Sequence, residues 1–368
     1  MRSRRFPEEV LRSRLERFQR VLRARHIDAV MLRTLGSFIY FAGIKWLRPA
    51  LLIPAEGEPT AFIAKGEETL FRELTWIDDL VTYAEGGEVM SEVSKTIRER
   101  GFSRVGLEFG LERDAYILFY EMFKKLNPHV EVVDVAPILY DMRMIKDSYE
   151  LDAIRKAGAI SLKALEEAES IVEPGISETE IAAELYHILY RSGSEDPLVY
   201  VNVGPGSRVH AEPLRDIVVK NGVFVTVVVG ADYNRYYANS SRTFFVGDLR
   251  GEAEKALKCM ESVYRKAVSL SKPGTKLIAV MKELDKVYME YGLLEHRVIG
   301  YAHSVGLQVE EPPITTIVPK HRTLEIKSNM ALAFIHAPLM MPGLGQVKIE
   351  NTFIVKEDGS LESVTGSI

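Results

Sequence analysis

The period of the hydrophobic pattern changes along the chain. Residues 8–25 carry apolar positions at helical spacing, and short β-prone runs follow at 29–32, 51–53 and 61–63. Residues 88–100 again read as a helix, 105–108 as a strand, 113–125 as a helix and 130–133 as a strand. This alternation predicts a small α/β domain that closes near residue 140. Residues 134–147, with Pro137 and mixed charge, read as a linker into a long helix over 149–172.

The rest of the chain carries an internal repeat. Pro174-Gly175 recurs as Pro273-Gly274, Glu184-Leu185 as Glu283-Leu284 and Gly193 as Gly292, all offset by 99. Each copy predicts a long helix, a Pro-Gly break, a second helix and then strands, the pattern of a duplicated half-domain. In the first copy the strands are 198–203 and a hairpin over 225–245. Placing its turn on Tyr233-Asn234 pairs Val228 with Asn239, Thr226 with Ser241 and Gly230 with Tyr237, all on one face, with Arg242 and Thr243 just beyond. In the second copy, strands at 331–335 and 346–355 fold back at Gly343 and set His336 beside Glu350. Two more histidines, His210 and His303, lie near glycines in 204–210 and 299–307, where side chains can approach a ligand.

Composition narrows the setting. A chain of 368 residues, 46% hydrophobic and 27% charged, is long enough for two domains, expected at 1–140 and 141–368. The formal net charge of −5 gives no nucleic-acid footprint. The basic start Met1-Arg-Ser-Arg-Arg runs into Glu8 and Glu9 rather than an apolar segment, so no secretory signal is expected. No run approaches the length of a membrane span. The single cysteine, Cys259, excludes an internal disulfide, fits a reducing cytoplasm and sits in a helical stretch as a core thiol. Three Gln stand against 99 Asp, Glu, Lys and Arg, a bias seen in thermophilic proteins.

The hairpin ending Tyr237-Ala-Asn-Ser-Ser-Arg-Thr-Phe244, the segment Gly206-Ser-Arg-Val-His-Ala211, the run His303-Ser-Val-Gly-Leu-Gln-Val-Glu-Glu-Pro312 and Gly345-Gln-Val-Lys-Ile-Glu-Asn351 together carry a resemblance. Residues 147–368 resemble the pita-bread metallopeptidase family of Xaa-Pro dipeptidase, aminopeptidase P, methionine aminopeptidase and creatinase. Residues 1–140 resemble the amino-terminal domain of its prolidase, aminopeptidase P and creatinase branch. The resemblance implies an α/β chain with a duplicated pita-bread second domain, a cytoplasmic location, a homodimer, and a peptide or small amide as ligand, with neither nucleic acid nor membrane as partner.

It also implies a dinuclear metal site built from two Asp, one His and two Glu. Those five positions fall on Val228, Asn239, His303, His336 and Glu350, so three of the five differ. A site bridged by carboxylates needs anionic oxygens to offset two dications, and Val228 offers no donor. A dinuclear peptidase site and its metal cofactors are therefore not expected. Three readings stay open. One is a non-catalytic binding or assembly module on a peptidase-like scaffold. The second is a metal-independent C–N hydrolase of creatinase type, with His210, Tyr237, His303 and Glu350 as catalytic residues and Ser241 standing where creatinase has a glutamate. The third is a mononuclear hydrolase with one Zn, Mn or Co at Asn239, His303, His336 and Glu350. Arg242 and Glu310 are candidate substrate-binding residues beside Ser241. Asp232 is assigned to turn chemistry.

Overall fold

The helix α1 (Glu8–Ala24) buries Leu11, Leu15, Phe18 and Leu22, the face its spacing predicts. The structure, a computed structural model, describes residues 6–46, 49–84, 88–109, 116–209 and 211–366 and divides into two units, Met1–Met142 and Arg143–Ile368. After α1 the first unit runs β1 (Ala29–Leu32), α2 (Leu35–Ala42), β2 (Leu51–Pro54), β3 (Thr60–Ala64), α3 (Glu68–Leu74), β4 (Asp79–Tyr83), α4 (Glu88–Glu99), β5 (Arg104–Leu107), α5 (Tyr116–Leu126) and β6 (Glu131–Asp134). Its six strands lie in the order β4-β3-β2-β1-β5-β6, with β2 antiparallel to both neighbours and the other pairs parallel. The expected linker is instead a helix, α6 (Ala136–Met144). Pro137 is accepted there because first-turn N–H groups have no helical partner to lose.

The second unit repeats one motif. The helices α7 (Ser148–Ile171) and α8 (Glu178–Arg191) each start with a capping box, Asp147 with Glu150 and Ser177 with Glu180, and pack on the sheet β7 (Leu198–Val203), β8 (Val223–Tyr233) and β9 (Tyr236–Val246). The helices α9 (Glu252–Leu270) and α10 (Leu277–Glu290) cover the second half. Its strands are β10 (Ala302–Ser304), β11 (Glu311–Ile314), β12 (Ala331–Phe334), β13 (Leu339–Met341), β14 (Gly345–Val347), β15 (Asn351–Val355) and β16 (Leu361–Ser363). Five of them form a sheet in the order β11-β10-β12-β15-β16, and β13 pairs with β14. The repeat extends to backbone detail. Isolated bridges join Ser177 to Val218 and Lys276 to Glu325, with Ser177 and Lys276 again 99 positions apart. Cys259 is fully buried in the second core, and burial pushes its thiol up to about 12. Among the described residues, no helix is long and apolar enough to cross a membrane.

The β8–β9 hairpin differs from its expected register by two residues. Val228 pairs with Ser241, Gly230 with Asn239, Thr226 with Thr243 and Asp232 with Tyr237. The turn falls on Asn234 and Arg235, at φ 52° and 69°, the positive values that a tight two-residue turn needs. Tyr233, placed in the turn by the sequence reading, stays in the strand opposite Tyr236. An even slip keeps every side chain on its expected face, so Val228, Asn239 and Ser241 still share one side.

A buried ion cluster ties the start of the second unit to its sheet. Glu311 meets Arg143 in a short ion pair, and Lys146 Nζ lies 3.2 Å from Glu311 Oε1 and 2.8 Å from Ser304 Oγ. Gly306 is needed beside it, since a Cβ there would come within 2.1 Å of Glu311 Oε1. Burial pushes the Glu311 carboxyl up, but Arg143 and Lys146 outweigh it and hold the group below its ordinary value. A carboxylate depressed in the folded state adds stability above its unfolded pKa of about 4.3, and that stability is lost as pH falls through the folded value. Glu311→Gln should therefore cost about 3–5 kcal/mol near neutral pH, with the gap to wild type narrowing below about pH 4. Denaturant melts across pH test this; a pH-independent gap contradicts it.

Candidate functional site

A seam between β9 and residues 348–352 positions the candidate residues. Thr243 Oγ1 accepts from Lys348 N–H and donates to Lys348 C=O, both at 2.9 Å. Ser241 N–H donates to Glu350 C=O at 2.9 Å, and Glu350 N–H donates to Ser241 Oγ at 2.9 Å. Thr352 Oγ1 accepts from Asn239 N–H and donates to Asn239 C=O, again both at 2.9 Å. Three rungs two residues apart thus lock the alternation of both chains together, so Lys348 and Glu350 share a face and Asn239 sits one rung from the Ser241–Glu350 pair.

Backbone irregularities aim the two histidines. The β10–β11 register shifts between His303 and Ser304, a bulge at the residue in question. His336 follows Ile335, a β-branched residue at φ 61°, where the cost is on the order of 1–3 kcal/mol. From Phe334 to Leu339 the chain takes five steps while its partner takes four, from Asn351 to Val347, so an extra residue is accommodated at this point. The outcome is a cluster: the ligand-type atoms of His303, His336 and Glu350 lie within 4.8 Å of one another, all buried. The two imidazoles meet edge to face at 4.6 Å.

Glu350 is the electrostatic centre. His303 Nε2 is 3.1 Å from its Oε1, and Lys348 Nζ is 2.9 Å from its Oε2. The lysine contact is an ion pair outside hydrogen-bond directionality, so Oε2 makes no hydrogen bond among the described residues. Burial pushes the Glu350 carboxyl up, and the charge of Lys348 with the His303 contact overcomes it, down to about 2. His303 Nδ1 faces Ser304 C=O at 2.9 Å while Nε2 faces a carboxylate. Both ring nitrogens therefore meet acceptors, which an imidazolium satisfies. Burial pushes its pKa down, but the Glu350 hydrogen bond and the charge of Glu310 raise it on balance.

The remaining candidates divide. Val228 is buried and lines a narrow crevice, with Tyr200, Asn202, His336, Gln346 and Lys348 among its walls. Asn202 Oδ1 and Gln346 Oε1 are buried there without a hydrogen bond among the described residues. Asn239 donates from Nδ2 to Val309 C=O at 2.9 Å, and its Oδ1 is likewise unsatisfied. Ser241 and Arg242, expected at the substrate, bond within the fold. Ser241 Oγ serves the seam, and Arg242 Nη1 donates to Ser241 C=O at 2.8 Å and to Asn351 Oδ1 at 3.1 Å. Alternation also puts Arg242 on the opposite face from Ser241.

Tyr237, expected to be catalytic, donates at 2.9 Å to both Asp196 C=O and Asp196 Oδ2, and burial raises its phenol. Asp232 is more than a turn residue: buried, it accepts from Ser194 Oγ at 2.6 Å and from the N–H groups of Glu195, Asp196 and Arg235. Glu310 is half-buried, and its charge is felt at His303 and Tyr200. His210 lies outside the described residues. Lys348 was missed by the sequence reading. The signal was present, since Lys348 stands two residues before Glu350 within the run 346–355 expected to be a strand, which puts the two on one face.

Residues 152–357 match metallopeptidase family M24, and residues 14–145 match the creatinase/prolidase N-terminal domain. The chain belongs to metallopeptidase family M24. This M24 chain is 25% identical over 357 residues to the Xaa-Pro dipeptidase of Pyrococcus furiosus, covering 95% of this chain and 97% of that one. Its fold is that of the prolidase from Pyrococcus horikoshii OT3, with a TM-score of 0.86 at 23% identity over 97% and 99% of the two chains. It is also that of the X-Pro aminopeptidase from Thermotoga maritima MSB8, with a TM-score of 0.82 at 21% identity over 96% and 98%.

The seam can be tested apart from any activity. Thr352→Val keeps the shape but removes the hydroxyl that serves both backbone groups of Asn239. It should cost about 1–3 kcal/mol in chemical denaturation, and a loss under about 0.5 kcal/mol would contradict the role given to this rung.

Proposed function

We propose that this M24 chain does not carry the two-metal peptidase site of its family and instead uses the cleft as a metal-free binding module for a small peptide or amide. The observation that supports it most is Val228, which lines the crevice with no donor atom where the resemblance places a metal-ligand Asp. Asn239 offers at best a neutral oxygen, because its amide nitrogen is held by Val309 C=O. One carboxylate, Glu350, is left to offset two dications, and hard or borderline divalent ions need more anionic oxygen than that.

The groups that line the crevice have the chemistry of the binding role. Tyr200, Val228 and Pro338 supply apolar surface, Asn202 and Gln346 supply unsatisfied amide oxygens, and Lys348 supplies a cation. A proline-ended dipeptide has groups for each: the N–H groups of its α-ammonium for the two amide oxygens and carbonyl or carboxylate oxygens for the lysine. The Xaa-Pro dipeptidase names of the relatives make a proline-ended dipeptide the first ligand to try. The cluster of His303, His336 and Glu350 favours a second reading, a single-metal site. Three donors of the right kind lie close together, as a mononuclear zinc site requires.

Two measurements test the first reading. Supplied with Mn²⁺, Co²⁺ or Zn²⁺, the protein should not cleave Xaa-Pro dipeptides, and turnover on the order of 1 s⁻¹ or faster overturns the proposal. In a chelator, an Xaa-Pro dipeptide should still raise the melting temperature in a concentration-dependent way. A rise that appears only with added metal contradicts the metal-free pocket.

A further inference from the structure

Lys348 is an unusual residue to find at this depth. Its side chain is 10% exposed, and the backbone that roots it is held at both N–H and C=O by Thr243 Oγ1. It faces the pocket with Val228 and His336 and ends 2.9 Å from Glu350 Oε2. Lysine is almost never buried unless paired, and a paired buried ion cannot lose its partner cheaply. Its partner is the one carboxylate of the His303, His336 and Glu350 cluster.

We propose that the Lys348 ammonium takes over the positive charge that a metal would supply, and that this ammonium is what bars a divalent cation from the His303, His336 and Glu350 cluster. The inference rests on the reading that the two-metal site is absent, and it adds why the surviving donors stay metal-free. A dication on Glu350 would have to share that carboxylate with an ammonium already 2.9 Å from Oε2. Like charges that close in a buried site repel strongly, and an ammonium has no lone pair to offer the metal. Removing the ammonium leaves two imidazoles and an uncompensated carboxylate, a donor set that suits Zn²⁺. Asn239 Oδ1, buried and without a hydrogen bond among the described residues, is a neutral acceptor one rung away. Lys348 thus converts a latent metal site into a self-neutralised one.

The test titrates Zn²⁺ into the chelator-stripped full chain by calorimetry and follows melting temperature against Zn²⁺. Wild type and Lys348→Arg, which keeps the charge, should bind no more tightly than about 1 mM. Lys348→Met should bind one equivalent at least about 100-fold more tightly, with a melting temperature that is depressed in chelator and rises with Zn²⁺. Lys348→Gln, neutral but able to hydrogen-bond Glu350, should do the same if the methionine variant folds poorly. One tight equivalent in wild type overturns the proposal, as does no gain in either neutral variant, or failure of both to fold even with Zn²⁺ supplied. Two tight equivalents in wild type with Xaa-Pro turnover would instead refute the metal-free reading beneath it.

Discussion

Three hydroxyls, those of Thr243, Ser241 and Thr352, hold the seam between β9 and residues 348–352, and the cleft depends on it. Each bonds backbone across the junction: the two threonines serve both the N–H and the C=O of the facing residue, and Ser241 Oγ accepts the N–H of Glu350 while its own N–H reaches the Glu350 carbonyl. A side chain that satisfies both groups of a facing residue removes the desolvation cost of burying them. The seam also joins the two halves of the duplicated unit, because β9 belongs to the β7–β9 sheet and β15 to the five-stranded one. Since side chains alternate with period two, fixing these rungs fixes which side chains face the cleft.

Charge then decides what the cleft can do. Two dications would have to be held by anionic oxygens, and of the five positions that the resemblance assigns to them only Glu350 is a carboxylate. Around it the protein places the Lys348 ammonium on one oxygen and the His303 imidazole on the other, with Glu310 nearby. The charge of Lys348 and the His303 contact hold the carboxylate ionised.

Much of this was legible in the sequence, for identifiable reasons. The 99-residue repeat, the helix pairs and the facing of Val228, Asn239 and Ser241 follow from periods of 3.6 and 2, which survive small errors. The hairpin register did not, because nothing in the alternation separates a turn on Tyr233-Asn234 from one on Asn234-Arg235; the positive φ of Arg235 and its N–H bond to Asp232 decide it. The approach of His336 to Glu350 was foreseen from Gly343, yet it is reached through a strained Ile335 that no propensity would place at φ 61°. Helix α2 escaped notice because nearly all of it is buried and it has no polar stripe. The partners of Ser241, Arg242, Tyr237 and Asp232 are long-range and were invisible. Lys348 was visible and overlooked, since a search for metal ligands does not look for an ammonium.

The most direct check of a self-neutralised cleft is a crystal structure of the wild-type protein grown in millimolar Mn²⁺, with anomalous data at the manganese edge. No anomalous peak should appear among Asn239, His303, His336 and Glu350, and the Lys348 ammonium should lie within about 3 Å of Glu350, hydrogen-bonding range for a charged pair. Manganese bound to Glu350, with Lys348 turned away from it, would contradict the account.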